Sequence, residues 1–290
     1  VSEDPKTKYK QPPQPAQKQP MPGTTEEMTP TPDHGEENYK GSGKLKDHAA
    51  IITGGDSGIG RAVAIAFARE GADVIISYLS EDKDAEEAAS WVEKAGRKAV
   101  LAPGDIKDEA FCNSLVERAM QEFGRLDCLV NNAAYQASFE KIEDITAEEW
   151  DLTFRTNIHS MFYLSKAAIP KMKPGSTIIN TTSINAKDPS PHLLPYATTK
   201  GAIANFTGGL AGWVADRGIR VNCVAPGPVW TPLIPSTMPE EKVQSFGKST
   251  PLGRAAQPAE LAPSYVFLAS EDSSYITGAM IPVTGGRLML

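Results

Sequence analysis

From Lys44 onward the chain alternates short runs of Val and Ile with amphipathic stretches, a pattern that leaves few topologies open. HAAIIT, DVIISYL, KAVLAPGDI, LDCLVNNAA, STIINTTS, IRVNCVAPG and AMIPV read as seven strands. Between them, RAVAIAFARE, AEEAASWVEKA, EAFCNSLVERAMQEF, the stretch after Thr146, PYATTKGAIANFTGGLAGW and AELAPSYVFLAS read as helices. Gly71, Gly96 and Gly124 follow three of these as helix stops. Thr146 and Glu149 have the spacing of a capping box that opens a long helix. Strands apolar along their whole length and separated by helices pair in parallel through right-handed crossovers. The expected fold class is α/β: a single domain with one doubly wound, seven-stranded parallel sheet and helices on both faces.

The first strand–helix junction is Thr53-Gly54-Gly55-Asp56-Ser57-Gly58-Ile59-Gly60. Gly54 permits the tight turn, Gly58 lets the backbone approach a pyrophosphate, and Gly60 allows the helix to pack close on the strand. The helix N-terminus turns free N–H groups and the positive end of its dipole toward the phosphates. Such a loop can also be an ordinary tight turn. Its place at the first crossover turns the reading toward a Rossmann-type dinucleotide site. Ligands of these sheets bind beyond the carboxyl ends of the strands. Asp105 and Ile106, Asn131 and Asn132, Ser183, and Pro226 with Gly227 all fall at strand ends.

These motifs together resemble the short-chain dehydrogenase/reductase family, from about residue 44 to the C-terminus. The matching features are TGGDSGIG, the NNA segment at Asn131, Asn157 in the following helix, Ser183 thirteen residues before Tyr196, YATTK, and PGPVWTP from Pro226. Within the family the chain looks most like a bacterial branch with a proline-rich N-terminal extension, often named after glucose or ribitol dehydrogenase. The resemblance implies an NAD(P)-dependent oxidoreductase that moves hydride between the nicotinamide and a carbonyl or secondary alcohol. It gives Tyr196 the acid/base role and Lys200 a bond to the nicotinamide ribose. Ser183 would hold the substrate oxygen, and Asn157 would order a water relay to Lys200. Implied cofactor contacts are Gly54, Asp56, Ser57, Gly58, Ile59, Gly60, Tyr78, Asp105, Ile106, Asn132, Ala133, Ala134, Tyr196, Lys200, Pro226, Gly227, Val229 and Thr231. Two positions depart from the usual pattern. Ala134 stands where glycine is more common, and Thr284 where the family often has Asp before the last Gly-Gly.

Elementary electrostatics gives the Tyr–Lys pair a purpose. The proton that accompanies hydride transfer needs a group with a pKa near neutrality, and free tyrosine titrates near 10. Four residues apart on a helix, Lys200 shares a face with Tyr196. A cation about 4 Å away at an effective dielectric of ~20 favours tyrosinate by roughly 4 kcal/mol, or about three pKa units. The same helix carries Gly201, Gly208, Gly209 and Gly212. Each costs up to ~1 kcal/mol relative to alanine, so another backbone is expected to come close: partly the helix's own sheet, partly a second subunit in a dimer or homotetramer. Residues 231–251 are proline-rich with little period and read as a substrate lid. Tyr135, Asn185, His192 and Trp230 are expected to line the pocket, His192 being more often a surface residue than a catalyst.

Residues 1–43 form a separate arm, crowded with Pro, Gln, Lys, Glu and Thr. Its composition predicts disorder or extended polyproline II unless the folded surface holds it. No candidate catalytic residue precedes Thr53, so the arm is expected to be dispensable for chemistry and to serve assembly or stability. The net charge of −7 gives no general attraction for nucleic acid or anionic lipid. No apolar run approaches the ~20 residues of a membrane span, and the N-terminus lacks the apolar core of a secretory signal. Cys112, Cys128 and Cys223 have no metal-like spacing and suit buried free thiols in a reducing, cytoplasmic compartment. No metal is expected. The partner is a small carbonyl or alcohol. Sugar or polyol dehydrogenation is the alternative within enzymes, and a non-catalytic dinucleotide-binding or scaffold protein the alternative from another class. Ser77-Tyr78-Leu79-Ser80 ends the second strand without a carboxylate or an arginine. Both NADP and NAD are therefore expected to bind, with a slight lean to NADP.

Overall fold

The computed structural model describes residues 3–289; Val1 and Ser2, which open the arm, and Leu290, which ends the domain, lie outside the described residues. The strands are β1 (Ala49–Thr53), β2 (Asp73–Tyr78), β3 (Ala99–Pro103), β4 (Cys128–Asn131), β5 (Thr177–Thr181), β6 (Arg220–Pro226) and β7 (Met280–Val283). They form one seven-stranded sheet in the order β3-β2-β1-β4-β5-β6-β7, with every pairing parallel. This is the doubly wound Rossmann-type sheet that the alternation predicts. The chain winds outward from β1 to β3, then returns to lay β4 against the free side of β1. That reversal opens a crevice at the carboxyl ends of β1 and β4.

The helices are α1 (Gly58–Arg69), α2 (Asp82–Lys94), α3 (Glu109–Phe123), α4 (Ala147–Phe154), α5 (Ser160–Ala168), α6 (Leu194–Val214), α7 (Leu233–Thr237), α8 (Glu240–Gln244) and α9 (Pro258–Ala269). Because side chains alternate across a strand, Ile52 and Ile51 serve opposite cores. Ile52 packs with Val63 and Phe67 of α1, Val92 of α2 and Leu261 and Tyr265 of α9. Ile51 packs with Leu115 of α3, Leu164 of α5 and Val214 of α6. Burying a side chain of this size contributes about 1.5–3 kcal/mol, which fixes the strand register and with it the strand ends that carry the polar groups.

Two local outcomes differ from the pattern. Thr146 caps α4 by accepting from the Glu149 amide at 3.1 Å. Glu149 does not reach back as a capping box requires; its carboxylate accepts the Tyr135 hydroxyl instead. And α4 and α5 are joined through one wide π turn, Arg155–His159, which carries Asn157.

The arm forms no helix or strand between residues 3 and 43, yet it is held along its length. The Arg69 guanidinium donates to the carbonyls of Gly35 (2.9 Å), Tyr39 (2.5 Å) and Glu36. The Glu70 carboxylate accepts the Tyr39 hydroxyl (2.6 Å) and the amides of Ser42 (2.8 Å) and Lys44 (2.9 Å). Met28 is buried with Trp230, Ile234 and Val243, and the Trp230 indole donates to the Pro30 carbonyl at 2.8 Å. Proline denies the arm its own backbone ladder, so the domain supplies its hydrogen-bond partners.

Candidate active site

A cleft of about 850 Å³ lies at the carboxyl ends of the strands. Its floor begins at the glycine loop. Gly54 and Gly58 have φ of +61° and +51°, where L side chains are strained. A Cβ on Gly60 would sit 1.8 Å from the Gly54 carbonyl oxygen, so only glycine lets α1 start this close to β1. Ser57 stands at the N-cap of α1 without a side-chain cap, and the first turn of α1 has no acidic residue. The first N–H groups of α1 and its dipole are thus available to an anion.

Thr53 ties the neighbouring strand ends together. Its Oγ1 accepts the amides of Asn132 (3.0 Å) and Ala133 (3.1 Å), while Asn132 Nδ2 donates to the Thr53 carbonyl at 3.1 Å. Thr181 at the end of β5 donates to Asn132 Oδ1 at 3.3 Å. Asp56 is buried beside this platform. Burial pushes its carboxyl up to about 7 against hydrogen bonds from the backbone and Ser57 that pull it down, and the charges of Glu81 and Asp84 add a smaller push upward.

The proton-transfer candidates meet at the centre of the cleft. Ser183 follows β5, and Tyr196 and Lys200 lie one turn apart on α6; all three are buried and line the cleft. Ser183 Oγ accepts from the Asn185 amide at 3.2 Å. Lys200 Nζ donates to the Thr181 carbonyl at 2.9 Å and lies 5.1 Å from the Tyr196 ring centroid. Burial pushes Tyr196 up to about 12, against a hydrogen bond with Ser183 that pulls it down. Burial also pushes Lys200 down to about 7. Burial thus opposes the charged form of both groups, against the pull that a neighbouring cation exerts on the phenol.

Asn157 stands behind this group. Its side chain is fixed by the Tyr135 amide (2.7 Å) and carbonyl (3.0 Å) and donates to Thr199 Oγ1 at 3.0 Å. Thr199 in turn donates to the Tyr196 carbonyl at 2.7 Å. The π turn is what swings Asn157 inward to the Tyr196 helix.

Gly54, Asp56, Ser57, Gly58, Ile59, Tyr78, Asp105, Ile106, Asn132, Ala133, Ala134, Pro226, Gly227, Val229 and Thr231 also line the cleft. Gly60 and Asn157 do not; one packs α1 on β1 and the other braces α6. Tyr135 and Asn185 are lining residues, as expected. His192 and Trp230 are not, which corrects that expectation. The His192 ring is half exposed and bonds the Phe139 carbonyl at 3.0 Å, whereas Trp230 is fully buried against the arm. The glycines of α6 also require a correction. A Cβ on Gly208, Gly209 or Gly212 would meet nothing within 4 Å, and on Gly201 only the Ala186 carbonyl at 3.9 Å. They do not serve close packing on the chain's own sheet.

Sequence reasoning missed Met21, Pro22 and Gly23 of the arm, which line the cleft, and Gln136, Asp188 and Arg287 at its substrate end. No signal in the proline-rich composition could have placed the arm there. Thr53 could have been singled out, since it is the hydroxyl immediately before the glycine loop at the end of an apolar strand.

A family model described as enoyl-(acyl carrier protein) reductase matches residues 54–287. The chain is 53% identical over 286 residues to the uncharacterized oxidoreductase YghA of Escherichia coli (strain K12), covering 98% of this chain and 97% of that protein. It is 48% identical to the glucose and ribitol dehydrogenase homolog of Oryza sativa subsp. japonica, covering 95% of this chain and 97% of that protein. Among solved structures it is similar to a short-chain dehydrogenase from Burkholderia cenocepacia J2315 in complex with NADP. The TM-score is 0.79 at 30% identity, over 84% of this chain and 98% of that one. It is also similar to the 3-ketoacyl-(acyl-carrier-protein) reductase of Brucella melitensis complexed with NADH. Here the TM-score is 0.76 at 33% identity, over 84% of this chain and 99% of that one.

Proposed function

The chain belongs to the short-chain dehydrogenase/reductase family of NAD(P)-dependent oxidoreductases, and we propose that Tyr196 is its acid/base and Ser183 its substrate-oxygen anchor. The observation that carries this is the convergence of Ser183, Tyr196 and Lys200 in the cleft whose floor is the glycine loop. The residues fit a dinucleotide. Gly54 and Gly58 line the cleft at positive φ with little room for a Cβ, Gly60 lets α1 start against β1, the start of α1 is uncapped, and Ser77, which also lines the cleft, has a buried Oγ without a partner.

When bound, the dinucleotide supplies the hydride and, in its oxidised form, a positive charge. The Tyr196 hydroxyl gives its proton to the carbonyl oxygen in reduction and takes it back in oxidation. Ser183 Oγ donates to that oxygen and fixes its position. Lys200 steadies tyrosinate to the extent that it is protonated, and Asn157, through Thr199, holds the turn of α6 that carries both groups.

The substrate class is a small carbonyl or secondary alcohol. A sugar or polyol is the second reading, favoured by Gln136, Asn185 and Asp188 at the substrate end and by the name of the rice relative. Residues 231–251 serve as the lid, residues 1–43 as an arm distinct from the dehydrogenase domain, and the setting is cytoplasmic. Association into a dimer or tetramer uses the open face of α6. Tyr196→Phe is the test. Turnover should fall at least ~100-fold while dinucleotide titration by fluorescence stays unchanged; retention of a tenth of the wild-type rate overturns the role of Tyr196.

A further inference from the structure

The arm crosses the cleft at one defined place. Gln19 donates its amide to the Pro235 carbonyl of α7 at 3.1 Å, and Gln14 donates to the Gln244 carbonyl of α8 at 2.9 Å. The Gln19 side chain then folds over its own turn, accepting from the Thr24 amide at 2.7 Å and donating to the Thr24 carbonyl at 3.3 Å. The next amide, Thr25, donates to Asp84 Oδ2 in the first turn of α2 at 2.8 Å. Residues 19–25 therefore bridge the lid and the start of α2, and Met21-Pro22-Gly23 at the crest face the cleft. Glycine is required at the crest: a Cβ on Gly23 would stand 2.6 Å from the Pro232 carbonyl oxygen and 2.7 Å from Gln19 Oε1.

Gly23 abuts Pro232 of the lid, and the neighbouring Thr231 lies against Gly58 of the glycine loop, while Asp56, Ser57, Leu79 and Glu81 line the same cleft. We infer that the Gln19–Thr25 turn is a clasp over the phosphate-binding part of the dinucleotide site, linking cofactor residence to the position of the lid. The inference rests on the dinucleotide-binding reading of the cleft. Deeper anchors keep the rest of the arm in place: Met28 against Trp230, and Arg69 on three arm carbonyls. Opening the clasp alone breaks only the few hydrogen bonds of Gln19 and Thr25. Local opening is therefore far less costly than releasing the arm, and a dinucleotide can enter and leave through it. While the clasp is shut, α7 is tethered through Pro235 to Gln19, so the lid and the cofactor's outer wall move together.

Release of NADPH and NADH is followed in the full chain by fluorescence after displacement with excess oxidised dinucleotide. Gly23→Val, which wedges the crest off Pro232, should speed release at least tenfold. Met21→Ala should speed it severalfold, and its half-exposed side chain makes a folding defect no concern. Bound dinucleotide should also slow tryptic cleavage at the exposed Lys18, just before the clasp, severalfold. Wild-type release rates in both variants, or cleavage at Lys18 indifferent to saturating dinucleotide, overturn the clasp while leaving the dinucleotide site intact. Failure of the unaltered chain to bind either dinucleotide overturns the underlying reading, and the clasp with it.

Discussion

Lys200 Nζ is bonded to the Thr181 carbonyl, 2.9 Å away, and not to the Tyr196 hydroxyl one helical turn earlier. The two side chains share a face of α6, with Nζ 5.1 Å from the ring centroid. Position within a helix brings the pair together, but burial decides their charges. Desolvation disfavours both tyrosinate and ammonium, so it holds Tyr196 up to about 12 and Lys200 down to about 7. Proximity to Lys200 and burial therefore act on the phenol in opposite directions.

Lys200 makes stability depend on pH with a definite sign. Its folded pKa is depressed to about 7, whereas the unfolded side chain titrates near 10.4. Between these values the unfolded chain holds the extra proton, so stability rises with pH. The contribution is complete above the unfolded pKa and is lost as pH falls through about 7. Lys200→Met should remove this slope from the dinucleotide-free protein, so that thermal midpoints of variant and wild type diverge most near pH 7. Parallel curves from pH 7 to 10 would show that Lys200 is charged in the fold.

Asp56 produces the opposite slope. Burial raises its folded pKa to about 7 from 3.8, so between these values the folded state holds the extra proton and stability falls as pH rises. Its stabilising contribution is complete below the unfolded pKa and lost as pH rises through about 7. Asp56→Asn should leave the thermal midpoint near that of wild type at pH 4 and raise it by several degrees, roughly 1–2 kcal/mol, at pH 8. A lower midpoint at pH 8 would mean that the ionised carboxylate is paid for by hydrogen bonds.

The strands, and the meeting of Ser183, Tyr196 and Lys200 in one cleft, were legible because each rests on local rules. Val and Ile runs fixed β1 to β7, glycine spacing fixed the first turn, and the separation of Ser183 from Tyr196 carried over from a family pattern. What was not legible depends on contacts distant in sequence. Gln19 meets Pro235, Thr25 meets Asp84, and Trp230 meets Pro30; nothing local in a proline-rich segment announces such pairs. Asn157 was identified, but the π turn that aims it was not. One extra residue in a helical turn leaves no mark on hydrophobic period. The burial of Tyr196 and Lys200 was not legible for a related reason, since spacing reports proximity and not desolvation.

The outer face of α6 supports a prediction about assembly. Gly208, Gly209 and Gly212 have open space where a Cβ would be, and Trp213 beside them is 83% exposed. Such a smooth strip next to a large apolar ring suits a second α6 at short range. Gly209→Arg and Trp213→Glu should each shift the protein toward monomer in size-exclusion light scattering, with little change in the monomer's circular dichroism, because both sites face open space. Unchanged mass for both variants would exclude this face.

Choice between dinucleotides turns on the end of β2. NAD-specific sheets place a carboxylate there for the ribose 2′-hydroxyl, and NADP-binding ones accommodate the 2′-phosphate with an arginine. Here Ser77 Oγ is buried in the cleft without a partner, and Leu79 presents a half-exposed apolar side chain. Ser80 and Tyr78 are already committed, donating to Glu81 Oε1 at 2.6 Å and Asp82 Oδ1 at 2.7 Å. One free hydroxyl suits a 2′-phosphate, while Glu81 and the ionised fraction of Asp56 oppose its charge. These effects act in opposite directions and neither is a full ion pair. The ratio of kcat/KM for NADPH and NADH with one carbonyl substrate should lie within about a hundredfold, or under ~3 kcal/mol, with a slight lean to NADPH. Leu79→Arg should then move the ratio at least tenfold further toward NADPH by giving the phosphate a bidentate partner. A wild-type ratio beyond a thousandfold, or no response to Leu79→Arg, would place the 2′ position away from the end of β2.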